Sequence, residues 1–489
     1  KFELKFLLQN EVELKGQIFD SMLADKLLHA GIGGHSSTLE HLAERYLKQP
    51  LDKEKQTSDW SGALTQGQLT YAARDAEVLL PLREQLVRSL VDQELVEVAE
   101  LEFDCVRTVA QMELASLGLD VRKWQEYCRL IEEKITDYKG RLEQHFQEWQ
   151  AQQEKSLNLN SSQQLQIALQ QLGIKVNSTR KEVLEGHSHQ PVVADLLAYK
   201  EWRSQQSKYG HKILQAVDST TGRIHADYRQ LGTETGRFSC SQPPLQQIPK
   251  QPQVRQCFIA AQGQRLVIAD YSQIELRVAA QLSQDQRMIE AYQKGEDLHC
   301  LTASLLTKTP IEEVTDEQRQ SAKAVNFGLL FAMGAKGLRN YARNTYGVEM
   351  SLPQAQAFKA KFFASYSGFD SYVRQLKSRK LKQLRTQSGR VRKYKKGYAS
   401  LTHALNTPIQ GTAADIIKRA LADLPAQLDA TQAQIVACIH DEIILEVTLS
   451  QAEAARQILE QVMIEAGQRY LPDLPVVVES VIADSWAGK

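Results

Sequence analysis

The sequence predicts an α+β chain of several domains, and three observations support this prediction. The chain has 489 residues, enough for about three domains of ordinary size. Residues 103–117 repeat apolar side chains at the spacing of an amphipathic helix that ends at Gly118. Residues 265–269 and 434–447 contain apolar, β-branched runs next to polar turns, a pattern typical of strands.

Composition and charge exclude several classes of protein. The 59 basic and 59 acidic side chains give a net charge of +0, which argues against a protein whose whole surface coats nucleic acid. The six cysteines are scattered without a Cys-x-x-Cys pair, which disfavours zinc ribbons and indicates a reducing compartment. No apolar run approaches the roughly 18 residues of a membrane span, so no membrane partner is expected. Glycine-rich phosphate-binding motifs of the P-loop and Rossmann types are also missing from the sequence.

Charge is distributed unevenly along the chain. Residues 1–100, with helical patterns at 39–47 and 71–90, carry 17 acidic and 11 basic side chains. Residues 374–396, by contrast, carry eleven basic and no acidic ones. This basic run, which includes Arg390, predicts contact with a nucleic-acid backbone; the alternative is a solvated helix followed by a disordered loop. Residues 150–164 are rich in Gln, Asn and Ser and are expected to form a loop.

Two predicted strands lead into carboxylates. Asp270 follows the run 265–269, and His440, Asp441 and Glu442 form the tip of a predicted hairpin within 434–447. Acidic side chains from two strands would suit two Mg²⁺ ions bridging a phosphate. Either motif alone is more simply interpreted as a turn with capping side chains; the pair, with the helix between them, favours the metal site.

A helix with an unusual face lies between the two carboxylate motifs. Thr315 and Gln318 form a capping box at its start. Side chains spaced by four place two cations and then two aromatic rings on one stripe, namely Arg319, Lys323, Phe327 and Phe331. Such a stripe would suit a nucleoside triphosphate, with phosphates on the cations and the sugar and base on Phe327. The alternative is a salt-bridged surface helix with a buried aromatic end.

Together these motifs resemble the family A DNA polymerases, the bacterial DNA polymerase I type, over nearly the whole chain, specifically the large (Klenow-like) fragment. Residues 270–277 look like motif A, residues 319–328 like motif B, and residues 440–442 like motif C. Residues 235–239 with 245–249, residues 406–415 and residues 295–299 are similar to further ordered motifs of that family. The number, order and spacing of these matches make a chance resemblance negligible.

The resemblance implies template-directed addition of deoxynucleotides to a primer 3′-hydroxyl, with release of pyrophosphate. Asp270 and Asp441 would hold two Mg²⁺ ions, with Mn²⁺ as a possible substitute, and Glu442 would support them. Lys323 would contact the triphosphate and donate a proton to pyrophosphate. Glu275 would reject a 2′-hydroxyl. The nucleotide would also be bound by Arg319, Phe327, Phe331, His299 and Gln273.

The resemblance further implies a right-hand fold that binds primer–template DNA. A partial ribonuclease H-like exonuclease domain (1–95) would precede a helical thumb (96–225). The palm, with an antiparallel sheet, would comprise 226–290 and 398–489, and the helical fingers 291–397. Such a chain is expected to act as a monomer in the cytoplasm of a bacterial or phage-infected cell, with an organellar origin left open. The implied DNA contacts are Arg237, Gln246, Asn406, Gln410, His440 and, from the basic run, Arg390.

The chain departs from the family pattern at a few positions. Phe331-Ala332 stands where Tyr-Gly is usual, and the lost hydroxyl could no longer hydrogen-bond Glu275. We therefore expect relaxed sugar or template discrimination, unless another group or a water satisfies Glu275. Cys438 replaces a usual Gln and Thr402 a usual Arg, changes that would weaken minor-groove or template contacts.

The N-terminal residues resemble only the later part of the family's 3′–5′ exonuclease. Tyr71 and Asp75 look like its third motif and Glu3 like the tail of its second, but an Asp-x-Glu pair does not precede them in this chain. Two-metal hydrolysis needs about four carboxylates, so we expect no proofreading by this chain. Two other functions remain open alternatives: a polymerase-fold protein that only binds primer–template, and a nuclease centred on Glu3 and Asp75.

Overall fold

The computed structural model describes residues 1–12, 14–154 and 156–489. Within these ranges, no helix is both long and apolar enough to cross a membrane. The residues assemble around one large apolar core, with smaller clusters at the N-terminus and beneath the helices of 121–208.

The described part of residues 1–95 contains helices joined by turns and irregular segments, and no strand is formed among these described residues. The helix predicted over 39–47 starts as an α-helix and continues as a π-helical segment, Ala43–Leu47. The pattern at 71–90 is divided at Val78 into two helices, the first of which starts with a capping box of Thr65 and Gln68. The helices are α1 (Phe2–Gln9), α2 (Ser21–Leu28), α3 (Leu39–Leu42), α4 (Gln66–Glu77) and α5 (Leu79–Asp92).

A second helical region follows. The helix predicted through Leu117 ends earlier, at Ala115, because Leu117 and Gly118 pair with strands on both sides. The polar stretch expected to be a loop is partly helical at both ends, and Lys155 within it lies outside the described residues. The elements are α6 (Val96–Ala115), β1 (Leu117–Leu119), α7 (Val121–His145), α8 (Gln147–Gln153), α9 (Ser162–Gln171), α10 (Lys181–Leu184), α11 (Pro191–Lys208), α12 (Gly210–Gln215) and β2 (Arg223–Ile224).

The central part of the chain contains the first strand of the main sheet and most of the predicted stripe helix. The capping box of Thr315 and Gln318 is present as predicted. The basic run forms a helix and then a β-hairpin rather than a disordered loop. The elements are β3 (Asp227–Arg229), β4 (Ser239–Ser241), α13 (Pro252–Arg255), β5 (Phe258–Ile259), β6 (Gln264–Tyr271), α14 (Ile274–Ser283), α15 (Gln286–Gln293), α16 (Leu298–Thr307), α17 (Asp316–Leu330), α18 (Ala335–Tyr346), α19 (Leu352–Ser365), α20 (Ser367–Ser378), β7 (Gln383–Arg385) and β8 (Val391–Lys393).

The last part of the chain completes an antiparallel sheet that positions the candidate site. Its elements are α21 (Leu401–Leu428), β9 (Gln434–Ile439), β10 (Glu442–Thr448), α22 (Ala452–Gln468) and β11 (Val478–Ala483). The strand order is β11-β6-β10-β9. Strand β6, which ends near Asp270, therefore lies beside β10, which begins at Glu442, and this neighbourhood lets their carboxylates share one site. Helices α21 and α22 pack against each other, and α22 also covers β6.

Candidate active site

The two carboxylate motifs meet at one edge of the main sheet. Asp270 on β6 lies opposite Glu442 on β10, and the amide of Tyr271 donates to the carbonyl of Asp441 (3.3 Å). His440 adopts a left-handed conformation (φ +62°), which lets the β9–β10 hairpin turn tightly. The predicted hairpin is therefore present, and its tip places Asp441 beside Asp270.

This pair of carboxylates is electrostatically strained. Burial and the negative charge of Asp270 raise the pKa of Asp441 to about 6. One oxygen of Asp270, Oδ1, is buried without a hydrogen-bond partner among the described residues, while Oδ2 lies 3.1 Å from the ammonium of Lys489. A buried carboxylate oxygen that lacks a donor fits a hard cation such as Mg²⁺.

Glu442 is held differently from the other two carboxylates. Trp486 Nε1 donates to its Oε1 (2.7 Å), and Arg255 lies 3.7 Å from Oε2. Burial raises the pKa of Glu442. Because protein groups face both of its oxygens, Glu442 can support the site from the side. Asp270 keeps one oxygen, Oδ1, without a hydrogen-bond partner among the described residues, and that oxygen is more available to a metal.

A cavity of 740 Å³ lies between these carboxylates and helix α17. Arg319, Lys323 and Phe327 line it as the stripe predicted, but Phe331 does not belong to the described lining. Phe331 instead ends α17 and packs, partly buried, against the main core. Helix α17 ends at Leu330, one residue before this last position of the stripe, so the contact of Phe331 with the nucleotide stays a prediction. Tyr346 from α18 also lines the cavity.

The cations of the cavity are held by a network around α16. Asp297 caps that helix through the amides of His299 and Cys300 and accepts from Arg319 Nη2 (2.7 Å). Asn326 Nδ2 lies 2.9 Å from His299 Nδ1; because an amide nitrogen only donates, the ring proton of His299 belongs on Nε2. Burial lowers the pKa of His299 to about 4, so this histidine is a neutral donor at physiological pH.

Lys323 is the other main cation of the cavity. Burial, together with the positive charges of Arg319 and Lys250, lowers its pKa. A lysine whose pKa is lowered is a better proton donor than a solvated one. Lys250, which also lines the cavity, was not predicted, because no sequence pattern surrounds it.

The opposite wall of the cavity is formed by residues that follow Asp270. Gln273 has φ +55° and caps α14, and its Oε1 accepts from Tyr292 (3.1 Å). Glu275 accepts a charge-assisted hydrogen bond from Arg237. The carboxylate of Glu275 is thus satisfied by a guanidinium, as expected if another group replaces the missing tyrosine hydroxyl.

Some of the residues predicted to contact DNA line the cavity, and others lie on helix α21. Gln246 and His440 line the cavity, and His440 Nε2 bonds the carbonyl of Gln246 (3.1 Å). Asn406 and Gln410 lie half-buried on α21, and Asn406 Oδ1 has no hydrogen-bond partner among the described residues.

The prediction that Arg390 contacts DNA is wrong. Its side chain is only 5% exposed and pairs with Glu102 (2.6 Å) and Asp415 (2.5 Å). The β7–β8 hairpin turns this arginine inward. The prediction grouped Arg390 with the other cations of the basic run by charge. It could not include the partners Glu102 and Asp415, which are distant in the sequence.

The N-terminal candidates Tyr71 and Asp75 both contact a lysine, and Glu3 faces solvent. Lys53 donates to both oxygens of Asp75 (3.0 and 3.1 Å) and to Tyr71 Oη (3.3 Å). Glu3 is exposed, with 84% of its side chain accessible. The charge of Asp75 is therefore neutralised by a lysine.

Another potential metal-ligand group lies in the same region. The ligand atoms of Asp25, His29 and His35 are within 4.8 Å of one another. However, Arg45 Nη1 lies 3.0 Å from both Asp25 Oδ1 and His35 Nε2, and Tyr46 also donates to Asp25 (2.8 Å). Since the arginine already supplies the positive charge, this cluster is explained as a satisfied buried aspartate.

Comparison with known proteins agrees with the geometry. The sequence model of DNA polymerase family A matches residues 126–488. The chain belongs to this family. The sequence model of a 3′–5′ exonuclease domain matches residues 1–91. The N-terminal region of this chain is therefore similar to such a domain.

Relatives of this family A chain extend over nearly all of it. "DNA polymerase I" of Aquifex aeolicus is 33% identical over 511 residues, covering 99% of this chain and 86% of that protein. "DNA polymerase I" of Pseudomonas aeruginosa is 31% identical and covers 97% of this chain but 54% of its own length. The chain thus spans about half the length of some of its curated relatives.

A solved structure gives the same result. The polymerase domain of Pol1 from M. smegmatis, in complex with DNA primer-template and dNTP, superposes with a TM-score of 0.84 at 28% identity. The match covers 99% of this chain and 84% of that one. The α+β right-hand fold is therefore confirmed.

Proposed function

We propose that this chain extends a DNA primer by template-directed addition of deoxynucleotides. The observation that carries the proposal is the cavity itself. The strained carboxylates Asp270 and Asp441 lie at one wall, and the cations and the ring of α17 lie at another. A nucleoside triphosphate has matching chemistry, with anionic phosphates, a sugar and a flat base.

Asp270 and Asp441 are the residues that would hold two Mg²⁺ ions. The unpartnered Asp270 Oδ1 and the raised pKa of Asp441 support this assignment, since a divalent cation would relieve both. When bound, such ions would promote deprotonation of the primer 3′-hydroxyl and neutralise charge on the pyrophosphate leaving group. Glu442, fixed by Trp486 and Arg255, would keep the hairpin tip in place.

The triphosphate would lie along the cationic face of α17. Arg319, oriented by Asp297, would hold phosphate oxygens, and His299 would donate from Nε2 without adding charge. Lys323 would bind the same phosphates and give a proton to the departing pyrophosphate, a role suited to its lowered pKa. Phe327 would stack near the sugar and base.

Sugar selection is proposed to rest on Glu275. Its carboxylate, fixed by Arg237, would collide with a 2′-hydroxyl. Gln246, Gln410 and Arg237 would read the minor-groove acceptors that all base pairs share, while His440 and Asn406 would contact the primer end and the template. In this proposal, residues 96–225 serve as thumb, 226–290 with 398–489 as palm, and 291–397 as fingers.

Proofreading is proposed to be absent from this chain. The small number of candidate carboxylates supports that view, because hydrolysis by two metals needs about four, whereas this region offers Asp75, which is paired with Lys53, and the exposed Glu3. Metal-dependent 3′–5′ degradation of a mismatched primer by the 489-residue chain would contradict it.

Primer extension tests the polymerase proposal. The parent should extend a primed template with Mg²⁺, and Asp441→Asn should lose extension while still binding primer–template DNA. Asp429→Asn, a change of the same chemistry at an exposed position, is the matched control and should extend normally. If the parent binds DNA but adds no nucleotide, the chain is a binding module and the proposal fails.

A further inference from the structure

Arg237 extends from a closed turn formed by residues 232–237. The amide of Gly232 donates to the carbonyl of Arg237 (3.1 Å), and the amide of Arg237 donates to Thr233 Oγ1 (3.1 Å). Gly236 has φ +85°, a conformation that favours glycine. The direction of the Arg237 side chain, and hence its bond to Glu275, therefore depends on where the backbone of this turn sits.

One side of the turn rests on a buried lysine. Lys418 on α21 is 0% exposed, and its ammonium donates to the carbonyl of Gly236 (2.7 Å). The same ammonium donates to Glu102 Oε1 on α6 (2.5 Å). The carbonyl it binds belongs to the peptide bond that enters Arg237, so this contact acts one bond away from the functional residue.

A buried arginine closes the other side. Arg390 donates to Glu102 (2.6 Å) and to Asp415 (2.5 Å). A Cβ added at Gly236 would lie 2.7 Å from Arg390 Nε, so the arginine and the turn are in close contact. Two anions and two cations are thus balanced in a cluster that comes from α6, the β7–β8 hairpin and α21.

Stability alone is a weak explanation for such a cluster. Removing four charged groups from water is costly, and buried ion pairs can often be replaced by apolar residues without loss of stability. What the cluster provides is geometry, because charge-assisted hydrogen bonds are short and directional. Through Lys418 the cluster holds the carbonyl of Gly236, next to Arg237, which lines the cavity.

We propose that Glu102, Arg390 and Lys418 are positioning residues that hold Arg237 against Glu275. This inference rests on the proposed function, in which Arg237 and Glu275 act on the incoming nucleotide and the minor groove. Loss of the Lys418 contact would let the Gly236 carbonyl move, and Arg237 would then leave Glu275. The effect on nucleotide addition would pass entirely through Arg237.

A double-mutant cycle on the full chain tests this route. Lys418→Met combined with Glu102→Gln removes one cation and one anion together and leaves Arg390 paired with Asp415. With Arg237 present, we expect kcat/KM for the correct deoxynucleotide to fall at least about tenfold and ribonucleotide discrimination to weaken. In an Arg237→Ala background, the same double substitution should change both quantities less than about twofold, since there is no side chain left to position.

A second buried pair separates positioning from general destabilisation. Arg223 and Glu446 form an ion pair of similar length (2.7 Å) with Glu446 almost fully buried. Arg223→Met with Glu446→Gln should lower the melting temperature comparably and leave discrimination unchanged. Should the cluster variant fail to fold, Lys418→Arg, which keeps the charge and the donor, provides the second variant and should alter discrimination before stability.

The possible results distinguish failure of the positioning role from failure of the proposed function. An equal loss in the presence and absence of Arg237 would overturn the positioning role. An Arg237→Ala variant with unchanged kinetics would instead overturn the proposed function of Arg237. Discrimination that changes as much in the Arg223/Glu446 control as in the cluster variant would assign the effect to stability.

Discussion

Replacing Asp441 with asparagine should stabilise the protein while abolishing catalysis. The folded chain raises the pKa of Asp441 from its ordinary 3.8 to about 6. A carboxyl whose pKa is higher in the folded state costs nothing well below pH 4, where both states are protonated. The cost grows as the pH rises through the two pKa values and is complete above about pH 7, where both states are ionised.

The magnitude follows from the size of that shift. A difference of two pKa units corresponds to about 3 kcal/mol. Water in the open cavity screens part of this, so we expect a gain of about 1–3 kcal/mol for Asp441→Asn at pH 7.5. The melting temperature in EDTA should then rise by roughly 1–3 °C.

Thermal unfolding of both proteins in EDTA, followed from pH 4 to pH 8, measures this effect. The advantage of Asp441→Asn should shrink to a small fraction of its full size at pH 4 and reach its full size above about pH 7, and Asp429→Asn should match the parent throughout. Saturating Mg²⁺ should stabilise the parent more than the variant, because binding to the folded state adds stability. An Asp441→Asn protein that melts no higher than the parent at pH 7.5, or equally higher at pH 4, would refute the electrostatic reasoning.

Three further predictions follow from the cavity and the N-terminal region. Lys323→Ala should lower kcat for single-nucleotide incorporation by roughly 100-fold or more, whereas Lys336→Ala, on the exposed side of the next helix, should not; similar losses in both would exclude a specific role. Phe331→Tyr should leave ribonucleotide discrimination within about twofold of the parent, since Arg237 already donates a hydrogen bond to the Glu275 carboxylate. A larger improvement would show that discrimination in the parent is weakened by the missing tyrosine hydroxyl. Lys53→Ala should free the carboxylate of Asp75 without creating 3′–5′ degradation of a mismatched primer. If degradation appears, Lys53 was suppressing an exonuclease activity and the proposal that proofreading is absent is wrong.

Local patterns were sufficient for the elements that carry the site. The apolar run before Asp270 became β6, the run around His440 became a tight hairpin, and Thr315 with Gln318 capped α17 as predicted. These features depend on neighbours within a few residues, namely side-chain alternation and a capping hydrogen bond. The same locality explains why Arg319, Lys323 and Phe327 could be assigned to one face.

Predictions failed where a partner lies far away in the sequence. The helix expected to reach Leu117 stops at Ala115, because Leu117 pairs with Ile224. Arg390 turns away from solvent toward an anion almost 300 positions earlier. Lys489, at the end of the chain, lies against Asp270, and no spacing rule could have indicated it.

The amino-acid sequence by itself thus determined which functional groups this family A polymerase contains. It also determined the strand end or helix face on which each group lies. Folding decided which of those charges meet, and with what consequence. Asp441 is an ordinary carboxyl in the sequence and an unusually basic one beside Asp270. Arg390 is one of eleven cations in its run, and folding buries it against Glu102 and Asp415. The physical reason is that desolvation and Coulomb energies depend on distance in space, which only the packed chain defines.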